Sequence, residues 1–132
     1  MSDNNIIVQT ETETATVSVP LLDGHVEEAV RQYIERMCGI DLPVRTVIHV
    51  ASDLEALATW TETIETSSTP DPAIRVERYT VYRKRVELEG ADTARAIRAW
   101  LADKLGDEAP DTAPTFEMDP GGGYMLSAIW TE

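Results

Sequence analysis

The feature that most constrains the fold is a long alternating segment, RVERYTVYRKRVELEG, at residues 75–90. Its β-branched and aromatic residues, and its apolar positions two residues apart near both ends, are typical of a β-strand. At about 3.3 Å per residue, such a strand extends for roughly 50 Å. The sequence therefore predicts a sheet that accommodates one unusually long strand.

The same segment also concentrates positive charge, although the chain has a net charge of −13. It contains five of the 11 basic residues, whereas residues 1–72 contain 13 acidic residues and three basic ones. We favour the interpretation that this strand neutralises acidic neighbours in the sheet, such as Glu11 and Glu13. The alternative is an anion pocket, which would be formed by Arg78, Arg83, Lys84 and Arg85 with Tyr79 and Tyr82 at its rim.

The rest of the chain divides into helical and alternating segments. An apolar stripe with period 3.6 predicts three amphipathic helices, and period-two alternation predicts the strands. An Asp-Pro-Gly-Gly sequence between the last two alternating segments predicts a hairpin. The predicted helices are 24–38, 52–66 and 93–105, and the predicted strands are 5–19, 44–50, 75–90, 116–118 and 124–130.

Short motifs set the expected helix ends. Asp23 and Asp92 are predicted N-caps, and Ser52-Asp53-Leu54-Glu55 has the form of a capping box. Gly39 and Gly106 are predicted to end the first and third helices. Met37 and Cys38 fall at the end of the first helix's inward stripe, so we expect a buried, inert thiol.

These segments predict one α+β domain over residues 1–132. Most strands alternate rather than being apolar throughout, which indicates a sheet with one solvated face. We expect a two-layer sandwich, in which a mixed or antiparallel sheet of about five strands has three helices mainly on one face. The predicted order is β-α-β-α-β-α-β-β.

Composition excludes several classes of protein. No apolar run is long enough to span a membrane, and MSDNNIIVQTETE lacks the pattern of a secretory signal. A single cysteine excludes intramolecular disulfides, and we expect a cytoplasmic location. The strong negative charge disfavours direct contact with nucleic acid or anionic lipid. No metal-binding or cofactor-binding motif is present, so we expect neither group.

Catalytic candidates are few. Cys38 with His49 would be a nucleophile pair, and His49 with Asp53 an acid–base pair, but a packed thiol and a hydrogen-bonded histidine are commoner outcomes. No spacing in the sequence defines a reaction. The sequence therefore favours a binding or structural role over an enzyme.

The leading functional hypothesis is a protein-binding module that occupies a basic, nucleic-acid-binding surface of a partner protein. In composition alone, such a small acidic domain resembles phage-encoded inhibitors of host defence, including anti-CRISPR proteins, and toxin-immunity proteins. That resemblance implies an inhibitor of viral or mobile-element origin. The acidic face of this module would comprise Glu27, Glu28, Glu35, Asp53, Glu55, Glu62 and Glu65.

Two other hypotheses remain open. The chain would serve as a small structural subunit of a virion or other homo-oligomeric assembly if its long strands paired between copies. It would otherwise be a salt-adapted small enzyme or anion-ligand binder that uses the strand Arg75–Arg85. Acidic surface is also a solubility adaptation in salt-rich cytoplasm, so the charge alone does not choose between these functions.

Overall fold

The computed structural model describes residues 6–10, 15–118 and 123–132. Within these ranges two α-helices and six β-strands follow one another in the order β-α-β-β-β-α-β-β, and the predicted α+β class is confirmed. A 3-10 turn, Gly106–Glu108, follows the second helix. The elements are β1 (Thr16–Leu21), α1 (Asp23–Cys38), β2 (Val47–Val50), β3 (Ala56–Asp71), β4 (Ile74–Leu88), α2 (Gly90–Leu105), β5 (Thr115–Met118) and β6 (Leu126–Thr131).

The strands form two separate sheets. Sheet 1 has the order β1-β6-β5 and sheet 2 the order β2-β3-β4, and every pairing is antiparallel. The prediction of a single sheet of about five strands is therefore wrong. The long strand β4 pairs with its sequence neighbour β3 and not with the N-terminal strand, because a two-residue turn at Pro72 and Ala73 joins β3 and β4 directly.

The predicted helix at 52–66 is also wrong, since this segment enters β3. Ser52-Asp53-Leu54-Glu55 forms a turn instead of a capping box. Its Asp53 carboxylate accepts a hydrogen bond from the Glu55 amide at 3.0 Å, and Leu54 has a φ of 69°. The alternative period was present in the sequence, because Ala56, Ala58 and Trp60 alternate with Leu57, Thr59 and Thr61, and β-branched threonine favours strands.

The other two helices are confirmed with small shifts. α1 begins at Asp23 itself, and the His25 imidazole accepts a hydrogen bond from the Leu22 amide at 3.0 Å. α2 begins at Gly90, before the predicted cap, and ends at Leu105, with Gly106 as its C-cap. The left-handed Gly39 ends α1 as predicted. Cys38 is exposed, so the expectation of a buried thiol is wrong.

Helix α1 holds the molecule together because its two halves belong to different cores. The first core packs Val26 of α1 and Ile97 of α2 against sheet 1, with Leu126 of β6 fully buried. The second core packs Val30 and Ile34 of α1 against sheet 2. We call α1, α2, sheet 1 and the inner part of sheet 2 the body. This inner part comprises β2, β3 up to residue 60 and β4 from residue 84.

The two ends of the chain match their predictions in part. The predicted strand 5–19 is observed as β1 from Thr16, whereas residues 6–10 belong to no helix or strand and residues 11–14 lie outside the described residues. The predicted C-terminal hairpin is confirmed, because β5 and β6 pair from Thr115↔Ile129 to Met118↔Leu126. The glycines of its turn at 121 and 122 also lie outside the described residues.

Candidate functional site

The most unusual surface of the molecule is the outer part of the β3–β4 hairpin, residues 61–83, which we call the arm. Its two strands pair continuously from Thr61↔Arg83 to Ser68↔Val76, and the register shifts only near the tip. Every residue of the arm is exposed except Val76, which is half-buried. At about 3.3 Å per residue the ribbon projects roughly 33 Å from the body.

The arm exposes apolar side chains on both of its faces. Ile64 and Tyr82 lie on the face that continues the core side of sheet 2, and their exposures are 51% and 46%. Tyr79 and Val81 lie on the opposite face, each with 59% exposure. Exposed apolar side chains grouped in this way mark surfaces that contact other molecules.

The backbone edges of the arm are also open. Strand β2 pairs with β3 only from Val47↔Thr59 to Val50↔Ala56, so β3 has no second neighbour beyond Thr59 within the described ranges. Among the strands that the structure describes, β4 pairs with β3 alone and is an edge strand along its whole length. Unpaired N–H and C=O groups along an edge can accept another strand.

Sequence reasoning placed the basic residues on one strand, and three of them lie beside acidic side chains of sheet 2. The Lys84 ammonium lies 3.8 Å from Glu62 on β3, and Arg75 lies 3.3 Å from Glu77 on its own strand. Arg85 pairs with Glu87, also on β4. Glu11 and Glu13, the expected partners, lie outside the described residues.

The six residues of the proposed anion pocket do not share one face. By register, Tyr79, Arg83 and Arg85 project from the outer face of sheet 2, which is turned away from α1. The others project from the core side or its continuation along the arm, and these are Arg78, Tyr82 and Lys84.

Three of these residues nevertheless line one groove at the base of the arm. The groove has a volume of about 780 Å³. Its basic lining comprises Arg83, Lys84 and Arg85 of β4, and Arg45, which precedes β2. We call this the basic groove. Its apolar lining includes Val44 and Val47, which are 95% and 64% exposed. Sequence reasoning missed Arg45, Val44 and Val47, because only the β2–β3 pairing places them across β3 from the basic residues of β4.

The residues of the predicted acidic face lie on three different parts of the molecule. Glu27, Glu28 and Glu35 are on α1, and Glu35 accepts a hydrogen bond from the Leu42 amide at 3.0 Å. Asp53 and Glu55 are in the turn before β3. The two others, Glu62 and Glu65, are on the arm.

One ionisable group of the arm has a shifted pKa. The Tyr79 hydroxyl donates a hydrogen bond to the Glu77 carboxylate at 2.8 Å. That hydrogen bond, followed by desolvation and a weaker effect of Glu65, raises the pKa of Tyr79 above its usual 10.0. Tyr79, Glu77 and Glu65 lie on the same face of the ribbon.

Comparison of the chain with protein-family models, with curated proteins and with solved structures gives no match. None of the helices among the described residues is both long and apolar enough to cross a membrane. Across residues 6–10, 15–118 and 123–132, no three His, Cys, Asp or Glu side chains cluster so as to hold a metal ion. The arm and the basic groove are the two candidate functional surfaces of the described chain.

Proposed function

We propose that the protein is a structural subunit of a homo-oligomeric assembly, such as a virion, and that the arm makes contact with a neighbouring copy. The observation that carries this proposal is the arm itself, a ribbon of 23 residues whose side chains and edges have no covering within the described chain. An isolated two-stranded hairpin is at best marginally stable in water. A neighbour that covers its apolar side chains would stabilise it.

Charge supports a second copy as the neighbour. Residues 73–90 have five basic residues and three acidic ones, whereas the rest of the chain has six basic residues and 21 acidic ones. The strand β4 of one subunit would therefore be attracted by acidic parts of another, although the arm as a whole, with three basic residues and four acidic ones, is nearly neutral. Such a separation of charge within one chain favours association between copies of it.

The proposal is tested by light scattering on the purified full-length chain over a range of concentrations. We expect a mass greater than that of one chain. Replacing Ile64 and Val81 by glutamate, one on each face of the arm, should weaken association by at least about 100-fold, because two apolar side chains lose their covered environment.

The matched control is Met37→Glu, which places the same charge at an exposed apolar residue of α1. This variant should associate as the unmodified chain does, and thermal melts should show that all variants are folded. A chain that remains monomeric at every concentration would contradict the proposal.

The acidic protein-binding module is the second candidate function. It is favoured by Glu27 and Glu28, which are exposed on the same helix turn of α1. Its partner would be a protein with a basic surface, and the distribution of the seven acidic residues over three parts of the molecule favours contact through α1 alone. This function predicts the monomeric outcome of the light-scattering experiment.

A further inference from the structure

The outer face of sheet 2 has a charge gradient along its strands. Toward the arm, Arg45 and Arg83 line the basic groove. Toward α2, Glu55, Glu87 and Glu89 line a second depression of about 440 Å³ together with His49 and Leu57. The face is therefore basic at one end and acidic at the other.

The register fixes where the sign changes. Leu57 pairs with Glu87 in one row, Thr59 pairs with Arg85 in the next row, and Thr61 pairs with Arg83 in the row after that. Rows on one face are about 6.7 Å apart. The boundary therefore falls between the first two of these rows, in the middle of the face.

The residues at the boundary and those at the ends differ in their partners. Arg85 and Glu87 pair with each other across the boundary. By contrast, Arg45 and Arg83 at the basic end, and Glu55 and Glu89 at the acidic end, have no ion-pair partner among the residues that the structure describes. Opposite charges thus remain unpaired at the two ends of one face.

The middle of the face is apolar enough to be covered. Val47 is 64% exposed beside the half-buried Leu57, both on this side of the sheet. Two sheets that pack face to face lie about 10 Å apart and bury such a centre between them.

From this arrangement we propose that the outer face of sheet 2 binds the same face of a second copy about a two-fold axis, with the strands of the copies running in opposite directions. This inference rests on the proposed homo-oligomeric function and names the surface that serves it. The axis lies at the charge boundary. It places Arg83 and Arg45 of each copy over Glu89 and Glu55, respectively, of the other, which is the self-complementary contact that a two-fold interface requires.

The same geometry accounts for the outer side of the arm. Val81 and Tyr79 continue this face beyond Arg83. With the copies antiparallel, these side chains extend toward and past the partner's acidic end.

Charge reversal in the full-length chain tests the inference. Glu55→Arg/Glu89→Arg makes both ends of the face basic, and Arg45→Glu/Arg83→Glu makes both ends acidic. Each variant alone should dimerise through this face at least about 100-fold more weakly, since like charges then face each other. Carrying all four substitutions in one chain, or mixing the two variants, should restore association. Asp107→Arg/Glu108→Arg, in the 3-10 turn after α2, is the control that alters charge elsewhere.

A crosslink separates two-fold packing from head-to-tail packing. With Cys38→Ser as background, the variant Thr59→Cys, near the proposed axis, should be linked by a short bis-maleimide to the same position of the second copy, and the product should stop at two chains.

The possible outcomes are distinct. An associated wild-type chain whose reversal variants associate normally, or whose cysteine gives no linked pair, would overturn this inference and leave the proposed function standing. A monomeric wild-type chain would overturn both. Loss in each variant with recovery in the mixture would support both.

Discussion

The body and the arm are built from the same chain by different means. In the body, side chains such as Ile97 and Leu126 are fully buried, and α1 joins two cores. In the arm, the backbone ladder is continuous, yet no side chain is buried. The comparison teaches that regular hydrogen bonding alone does not explain the arm, because the net gain from each such bond in water is only about 1 kcal/mol. Its exposed apolar residues fit the proposed contact with a second copy.

The largest expected effect comes from truncating one isoleucine in each region. Ile97→Ala removes a side chain with 0% exposure and should destabilise the body by about 2–5 kcal/mol. Ile64→Ala, at 51% exposure, should change the stability of the dilute chain by less than about 0.5 kcal/mol. Urea unfolding of both variants measures the difference. Similar losses at the two positions would show that the arm is packed within its own chain.

A second prediction concerns the junction between the arm strand and the body. A Cβ on Gly90 would lie 2.7 Å from the Asp53 carbonyl oxygen, whereas one on Gly24 meets nothing within 4 Å. Gly90→Ala should therefore destabilise the chain by about 1–3 kcal/mol through overpacking. Gly24→Ala, in the first turn of α1, should stabilise it by about 0.4–1 kcal/mol. Thermal unfolding measures the sign of both stability changes. A Gly90→Ala variant as stable as the unmodified chain would show that the backbone at Asp53 moves readily to accept the added methyl group.

The smallest expected effect sharpens the description of the arm. Because Glu77 raises the pKa of Tyr79, Glu77→Gln should lower that pKa, as followed by ultraviolet titration of the phenols with Tyr79→Phe to assign the signal. The neutral phenol is the form that the folded arm favours. The stabilisation of the arm by the hydrogen bond from Tyr79 to Glu77 is therefore present below pH 10.0, and it is lost as the pH rises through the raised pKa. An unchanged titration in Glu77→Gln would show that the ribbon is not ordered in the dilute chain.

Local patterns in the sequence were sufficient to predict α1, α2 and the C-terminal hairpin. In α1, a single stripe containing Val26, Val30 and Tyr33 fits only the helical period. In the hairpin, turn residues separate two alternating segments. Neither element required information from distant parts of the chain.

The helix prediction for residues 52–66 failed because the apolar residues of this segment fit both the helical period and the strand period. Leu54, Leu57 and Ile64 fit a helical stripe, whereas Ala56, Ala58 and Trp60 fit a strand. Pairing with the long strand β4 decided between them, and a long-range pairing cannot be found from a local window. The division into two sheets has the same origin.

The candidate site was predicted only to the extent that it lies on one strand. The basic residues of β4 were identified from the sequence, but Arg45 and Val47 reach the groove through the pairing of β2 with β3. The charge gradient of the outer face likewise depends on the register between strands. A shift of one residue would have moved Arg83 and Arg85 to the core side.

Strand β4 passes into α2 with Glu89 alone between them, and Gly90 lies tightly against the carbonyl of Asp53. The base of the hairpin thus lacks a flexible tether. A displacement of the hairpin base would therefore be passed on to α2, whose Ile97 is buried in the first core. The orientation of the arm is consequently tied to that of α2.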